Sequence, residues 1–258
     1  MLLAIDIGNT NTVLGLFKHG RLFHDWRIRT DVNMTADEYS ITFRSLFATY
    51  EVPAREVTQV IISCVVPPLL NSVERFCRKY FNIHPVVVGP GIRTGMPIFY
   101  DNPKEVGADR IVNAVAAYER YRQACIVVDF GTATTFDYVS DRGEYMGGVI
   151  SPGIVISCEA LFFKTSKLPR VEIFARPASI LGKNTISSIS AGVVYGYAGL
   201  VEGIINRMKK EVRKELKVVA TGGLASLIAA ECPVIDEVDD YLTLQGLRII
   251  FERNKKNS

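Results

Sequence analysis

Ala4-Ile5-Asp6-Ile7-Gly8-Asn9-Thr10-Asn11-Thr12 and Val127-Val128-Asp129-Phe130-Gly131-Thr132-Ala133-Thr134-Thr135 are two copies of one pattern. A shift of 123 positions (127 − 4 = 123) lays Asp on Asp, Gly on Gly and the final Thr on Thr. Each copy ends an apolar strand and opens a tight hairpin. An Asp at a strand end offers oxygens to a hard cation or to its bound water. A Gly two residues later lets main chain approach a ligand with no Cβ in the way. The Asn and Thr residues that follow present amides and hydroxyls to phosphate oxygens. One D-x-G-x-T alone reads as an ordinary polar turn. A pair at half-chain spacing, one hairpin facing the other, reads as a grip on a nucleotide polyphosphate from both sides.

Working outward, the first copy sits in a β-meander. Leu2 to Ile5 is a buried strand, Thr12 to Phe17 a second, His19-Gly20 a turn and Leu22 to Ile28 a third. Thr35 and Glu38 form a capping box that opens a helix with Tyr39, Phe43, Leu46 and Phe47 on its apolar face. A short strand at Val60 to Cys64 ends at Pro67-Pro68, and a helix to about Tyr80 and a strand at Val86 to Val88 follow. Asn102-Pro103-Lys104-Glu105 reads as a helix start, with the helical pattern running from Gly107 to Tyr121. Around the second copy, strands are expected at Cys125 to Asp129 and Thr134 to Val139, with a turn at Asp141-Arg142-Gly143. Helices are expected near 153–165, 186–215, 224–231 and 242–252, with a strand at Val218 to Ala220. Strands then helices, twice over, give an α/β chain of two related halves, 1–115 and 116–258.

The chain has 258 residues, 48% apolar and 22% charged, which fits a globular protein and excludes a disordered, collagen-like or disulfide-rich one. Thirty Lys and Arg against 27 Asp and Glu leave +3, too little to imply a nucleic-acid partner. Cys64, Cys77, Cys125, Cys158 and Cys232 are scattered and odd in number, as expected of free thiols in a reducing cytoplasm. Asp6 arrives too early for a signal peptide, and no membrane association is expected. The apolar stretch Ile189 to Val201 stops at Glu202 and reads as a buried helix.

Three further segments bear on function. Val218 to Leu224 is a strand, a Gly-Gly turn and a helix start, read equally well as packing against a purine or ribose or as a plain strand–turn–helix. Tyr100 to Arg110 gathers acid, base and aromatic residues around a helix start, which attracts anions. There Arg110 could pair with a carboxylate and Asp109 could accept a proton from a hydroxyl, or the two could simply cap each other; a carboxylate at a helix start beside Arg110 is expected to be a weak base. The histidines His19, His24 and His84 are isolated, and there is no G-x-x-x-x-G-K-[ST] loop and no G-x-S-x-G elbow.

Taken together, Asp6 to Thr12, Asp101 to Arg110, Asp129 to Thr135, Gly182-Lys183-Asn184-Thr185 and Ala220 to Gly223 resemble the type III pantothenate kinases. These belong to the superfamily of acetate and sugar kinases, heat-shock protein 70 and actin. The resemblance implies a duplicated actin-like (ribonuclease-H-like) fold, two mixed sheets flanked by helices with a nucleotide cleft between the halves. It implies phosphorylation of pantothenate by ATP, with Mg²⁺ and a monovalent cation, K⁺ or NH₄⁺, in a cytoplasmic homodimer. Residue by residue, it implies that Asp6, Ile7, Gly8, Asn9, Thr10, Asn11, Thr12 and Val13 form the first ATP loop and that Thr132 meets the nucleotide from the second. It implies a substrate site of Tyr100, Gly107, Ala108, Asp109, Arg110 and Thr185, with Asp109 as general base. Asp129 would hold the monovalent cation and Asp6 the Mg²⁺, directly or through water. Some members carry Lys or Arg in the first loop where Asn11 and Val13 stand here, which puts more of the charge neutralisation on metal ions. Another small-molecule kinase of the superfamily, a non-catalytic nucleotide-binding regulator and an actin-type filament ATPase are the alternatives.

Overall fold

The computed structural model describes residues 1–173 and 175–255. They fall into two units, one of residues 1–96, 101–116 and 243–255, the other of 97–100, 117–173 and 175–242.

In the first unit, β1 (Leu2–Ile7) pairs antiparallel with β2 (Asn11–Lys18), which pairs antiparallel with β3 (Arg21–Arg29). On its other side β1 runs parallel to β4 (Gln59–Cys64), which runs parallel to β5 (Val86–Val87), so the order is β3-β2-β1-β4-β5. Alternation sends Leu3, Ile5 and Ile7 to one face, where they meet Tyr39, Phe43 and Phe47 of α1 (Ala36–Thr49) and Leu69, Val73 and Phe76 of α2 (Pro67–Phe76). The Thr35–Glu38 capping box that starts α1 is formed in both directions.

The second unit repeats the plan. There β6 (Cys125–Phe130), β7 (Ala133–Val139) and β8 (Tyr145–Pro152) form the antiparallel meander, and β9 (Lys217–Thr221) and β10 (Glu237–Val238) add in parallel beyond β6. The order β8-β7-β6-β9-β10 matches the first sheet strand for strand. Ile126, Val128 and Phe130 pack against Val194, Tyr197, Ala198, Val201 and Ile205 of α5 (Thr185–Val212) and against Ala225 and Ile228 of α6 (Ala225–Ala229). A further helix, α4 (Ile154–Phe163), follows β8 directly.

Four expectations change. The strand β8 was not anticipated, because Gly147-Gly148 and Pro152 read as breakers, and Gly147 does adopt φ +104°. Asn102 to Glu105 forms only a 3₁₀ turn at Pro103–Glu105, and α3 (Ala108–Tyr121) starts afresh after Val106. The C-terminal helix α7 (Leu242–Asn254) lies mostly in the first unit, not in a 116–258 half. The reason is close packing on α3: a Cβ at Gly246 would overlap the Val112 carbonyl, and Thr243 Oγ1 donates to buried Asn113 Oδ1 at 2.7 Å. Last, α5 is long and apolar enough by composition to cross a membrane, yet only one face of it is covered within its unit. Ile186 is 57% exposed, and Gly192, Gly196 and Gly199 face open space.

Candidate active site

The first loop is three residues long, Gly8 to Thr10, and closes with the Gly8 N–H donating to Asn11 O at 3.1 Å. Thr30 braces it from β3's end. Its hydroxyl donates to Gly8 O at 2.8 Å, so the 3.0 Å contact between Thr12 and Thr30 has Thr12 as donor. The Thr30 N–H donates to Thr10 O at 3.0 Å. Asn9 and Thr10 remain exposed at the tip and Asp6 is half-buried. Ile7 and Thr12 are fully buried, so their side chains shape the loop from behind. Asn11 and Val13 are half-buried on β2, and Asp6 pairs across the sheet with Val13. Thr30 escaped the sequence reading because nothing local marks a residue that acts 20 positions away.

The second loop is one residue shorter, Gly131 and Thr132, closed by the Gly131 N–H on Ala133 O at 3.1 Å. Ile7 pairs with Thr12 and Phe130 with Thr134. The structural counterpart of Thr12 is therefore Thr134, equally buried, rather than Thr135 as a gapless shift would have it. Two glycines crowd this loop. A Cβ on Gly222 (φ +98°) would stand 2.7 Å from Asp129 Oδ1 and from Phe130 O. A Cβ on Gly153 would overlap the Thr132 carbonyl and stand 2.6 Å from Gly131 O. Both positions are closed to any side chain. Gly222 thus serves close approach to the strand end that carries Asp129. The glycine at 153 was not foreseen.

Asp109 lies in the first turn of α3, where the helix dipole favours a carboxylate. Its Oδ1 accepts the Arg110 N–H at 2.8 Å, and a Cβ on Gly107 would stand 2.5 Å from that oxygen, so a side chain there would push the Asp109 carboxylate out of this position. Burial raises the Asp109 carboxyl above its ordinary value, against the opposing pull of the Arg110 N–H and guanidinium. Arg110 itself is 7% exposed. The sequence suggested a weak base held down by Arg110. Desolvation outweighs that pull and makes Asp109 a better proton acceptor.

In the second unit, Tyr100 is 37% exposed with its ring 6.4 Å from that of Tyr145, and its segment is pinned to β8 by Phe99 N–H on Tyr145 O at 2.8 Å. Thr185 is the first residue of α5, exposed, in a groove of about 650 Å³ lined also by Leu161, Leu168, Lys183 and Ile189. Asn184 caps α5 with its Oδ1 on the Ser187 N–H at 2.9 Å, which commits that oxygen to the helix. The Asp6 loop, Gly107, Asp109 and Arg110 therefore belong to one unit, and Asp129, Thr132, Tyr100 and Thr185 to the other.

Among the described residues, no three His, Cys, Asp or Glu are grouped to hold a metal ion. All five cysteines are free; burial pushes the Cys77 and Cys125 thiols to about 12 and the Cys232 thiol to about 11.

Two five-stranded mixed sheets of identical topology, each opening on an Asp–Gly hairpin, define the duplicated actin-like fold of a large class of phosphotransferases. Solved structures agree: an inorganic polyphosphate/ATP-glucomannokinase from Arthrobacter is similar with a TM-score of 0.53 at 17% identity, covering 98% of both chains. The activator of 2-hydroxyisocaproyl-CoA dehydratase from Clostridium difficile, with bound ADPNP, gives 0.55 at 11% identity over 100% of this chain and 98% of that one. Within that class, the type III pantothenate kinase profile matches residues 2–207, and the chain belongs to that family. A type III pantothenate kinase of Syntrophobacter fumaroxidans is 79% identical over 257 residues, 100% of both chains. One of Syntrophus aciditrophicus is 61% identical over 98% of this chain and all of its own.

Proposed function

We propose that this chain transfers the γ-phosphoryl group of ATP to the primary hydroxyl of pantothenate, the first step of coenzyme A synthesis. The observation that carries this reading is the start of α3: a carboxylate raised by burial, beside a buried arginine, behind a glycine whose missing Cβ leaves room for its oxygen. Phosphoryl transfer is largely dissociative, so positioning and electrostatics matter more than early proton removal. Asp109 orients the substrate hydroxyl and accepts its proton late. Arg110, Gly107, Ala108, Tyr100 and Thr185 line the pantothenate site. Asp6 to Val13 and Thr132 meet the ATP phosphates, the first loop through the exposed Asn9 and Thr10 and through main chain.

A half-buried carboxylate at a strand end suits Mg²⁺, which keeps several waters and takes phosphate oxygens as its other ligands, so Asp6 would hold it, directly or through water. Asp129 would hold a monovalent cation; its Oδ1 stands in space that only a glycine at 222 leaves open. Bound there, the cations supply charge neutralisation that a first loop without Lys or Arg does not. The protein acts as a homodimer. Supporting this, α4, β8, the loop before α5 and the start of α5 expose Ile150, Val155, Phe163, Leu181 and Ile186, apolar side chains that a second copy would cover. It works in the cytoplasm, with no nucleic-acid or membrane partner.

The test is ADP release, coupled to a chromogenic reaction, with and without pantothenate. Pantothenate-dependent release is expected. Release independent of pantothenate would point to another acceptor or an ATPase, and nucleotide binding without release to a regulator.

A further inference from the structure

Tyr197 lies in the middle of α5, 9% exposed, on the face packed against the sheet. Its hydroxyl stands 3.0 Å from Pro152 O, 3.0 Å from Gly153 O and 2.6 Å from Ser157 Oγ. Carbonyl oxygens only accept, so the single phenolic proton is shared between Pro152 and Gly153, and Ser157 must donate to the phenolic oxygen. The corner where β8 becomes α4 is therefore tied to α5 by one side chain. That corner bears directly on the second loop. The Gly153 N–H donates to Thr132 O at 3.1 Å, and no Cβ fits between Gly153 and the carbonyls of Gly131 and Thr132. Backbone rests on backbone, so a shift of the corner becomes a shift of the loop. Gly153 O also accepts the Ser157 N–H at 3.1 Å, which fixes the first turn of α4 to the same point.

We propose that Tyr197 is a positioning residue for nucleotide binding: its hydroxyl sets the β8–α4 corner and thereby the Gly131–Thr132 loop against the phosphates. This deepens the reading of that loop as an ATP loop and rests on it. Ser157 is the secondary member: its hydroxyl acts on the corner through Tyr197, while its main chain bonds Gly153 O whatever the side chain.

The test is Tyr197→Phe, which keeps the buried ring and removes only the hydroxyl. Binding of a non-hydrolysable ATP analogue with Mg²⁺ is measured by calorimetry, and KM for ATP and for pantothenate by ADP release. The expected result is analogue affinity and KM for ATP worse by about tenfold, the factor that 1.4 kcal/mol represents. KM for pantothenate should stay within about twofold, as a loop-specific effect requires. Equal loss for both substrates, or analogue affinity unchanged in folded protein, overturns the proposal. Should Tyr197→Phe not fold, Ser157→Ala decides: a smaller loss confined to nucleotide supports the proposal, and no change overturns it. A wild-type protein that binds the analogue but does not phosphorylate pantothenate defeats the substrate reading while leaving the calorimetric comparison to decide this proposal. One that binds no nucleotide defeats both.

Discussion

Replacing Asp109 by Asn separates catalysis from folding in a way the structure makes quantitative. Asn keeps the Oδ1 that accepts the Arg110 N–H at 2.8 Å and nearly the same volume, but it cannot accept a proton. A general base contributes about 10²–10⁴-fold, or roughly 2.7–5.5 kcal/mol of barrier, so kcat is expected to fall by that factor. Stability should move the other way. Burial raises the folded-state pKa above the unfolded value near 3.8, so between those two pKa values the folded chain holds more protons than the unfolded one. The stabilisation from a protonated Asp109 is fully present below the unfolded pKa. It is lost as pH rises through the folded pKa, and the wild type then bears a desolvated charge that the neutral amide of the variant avoids. The variant's advantage in urea-measured stability should thus be smallest in acid, grow through that window and level off above it. The assays are pantothenate-dependent ADP release at pH 7.5 and urea unfolding from pH 3 to 8. A folded variant turning over near the wild-type rate would refute the assignment of the base. A stability difference that shrinks as pH rises would refute the burial argument.

Asp6→Ala and Asp129→Ala should fail differently: loss of activity in the first should persist at every K⁺ concentration, whereas the second should lose K⁺ stimulation. An Asp129→Ala enzyme with unchanged K⁺ dependence would contradict the assigned ion. Thr30→Val removes the hydroxyl that holds Gly8 O and receives Thr12. It should cost about 1–3 kcal/mol of stability by thermal or urea unfolding and weaken ATP more than pantothenate binding. Sedimentation at low micromolar concentration with pantothenate titrated in should show a dimer, and a monomer binding pantothenate normally would rule out a dimer-dependent site.

The internal repeat made the two-unit plan legible, because strand pattern and turn chemistry are local and Asp6 and Asp129 sit at matching strand ends. The capping box at Thr35 and Glu38 was legible for the same reason: it acts within four residues of itself. What sequence could not supply is anything set by contact between distant segments. The one-residue difference between the loops appears only in the register, Ile7 with Thr12 but Phe130 with Thr134. The braces Thr30, Gly153 and Tyr197 are ordinary residues until folding brings them to a loop carbonyl or to the corner behind it. The strand β8 hid behind its own glycines, and the unit to which α7 belongs was decided by Gly246 fitting against Val112. Even the strength of Asp109 as a base turned on tertiary structure. Sequence places Arg110 beside it and argues for a low pKa, and only packing supplies the desolvation that reverses the sign.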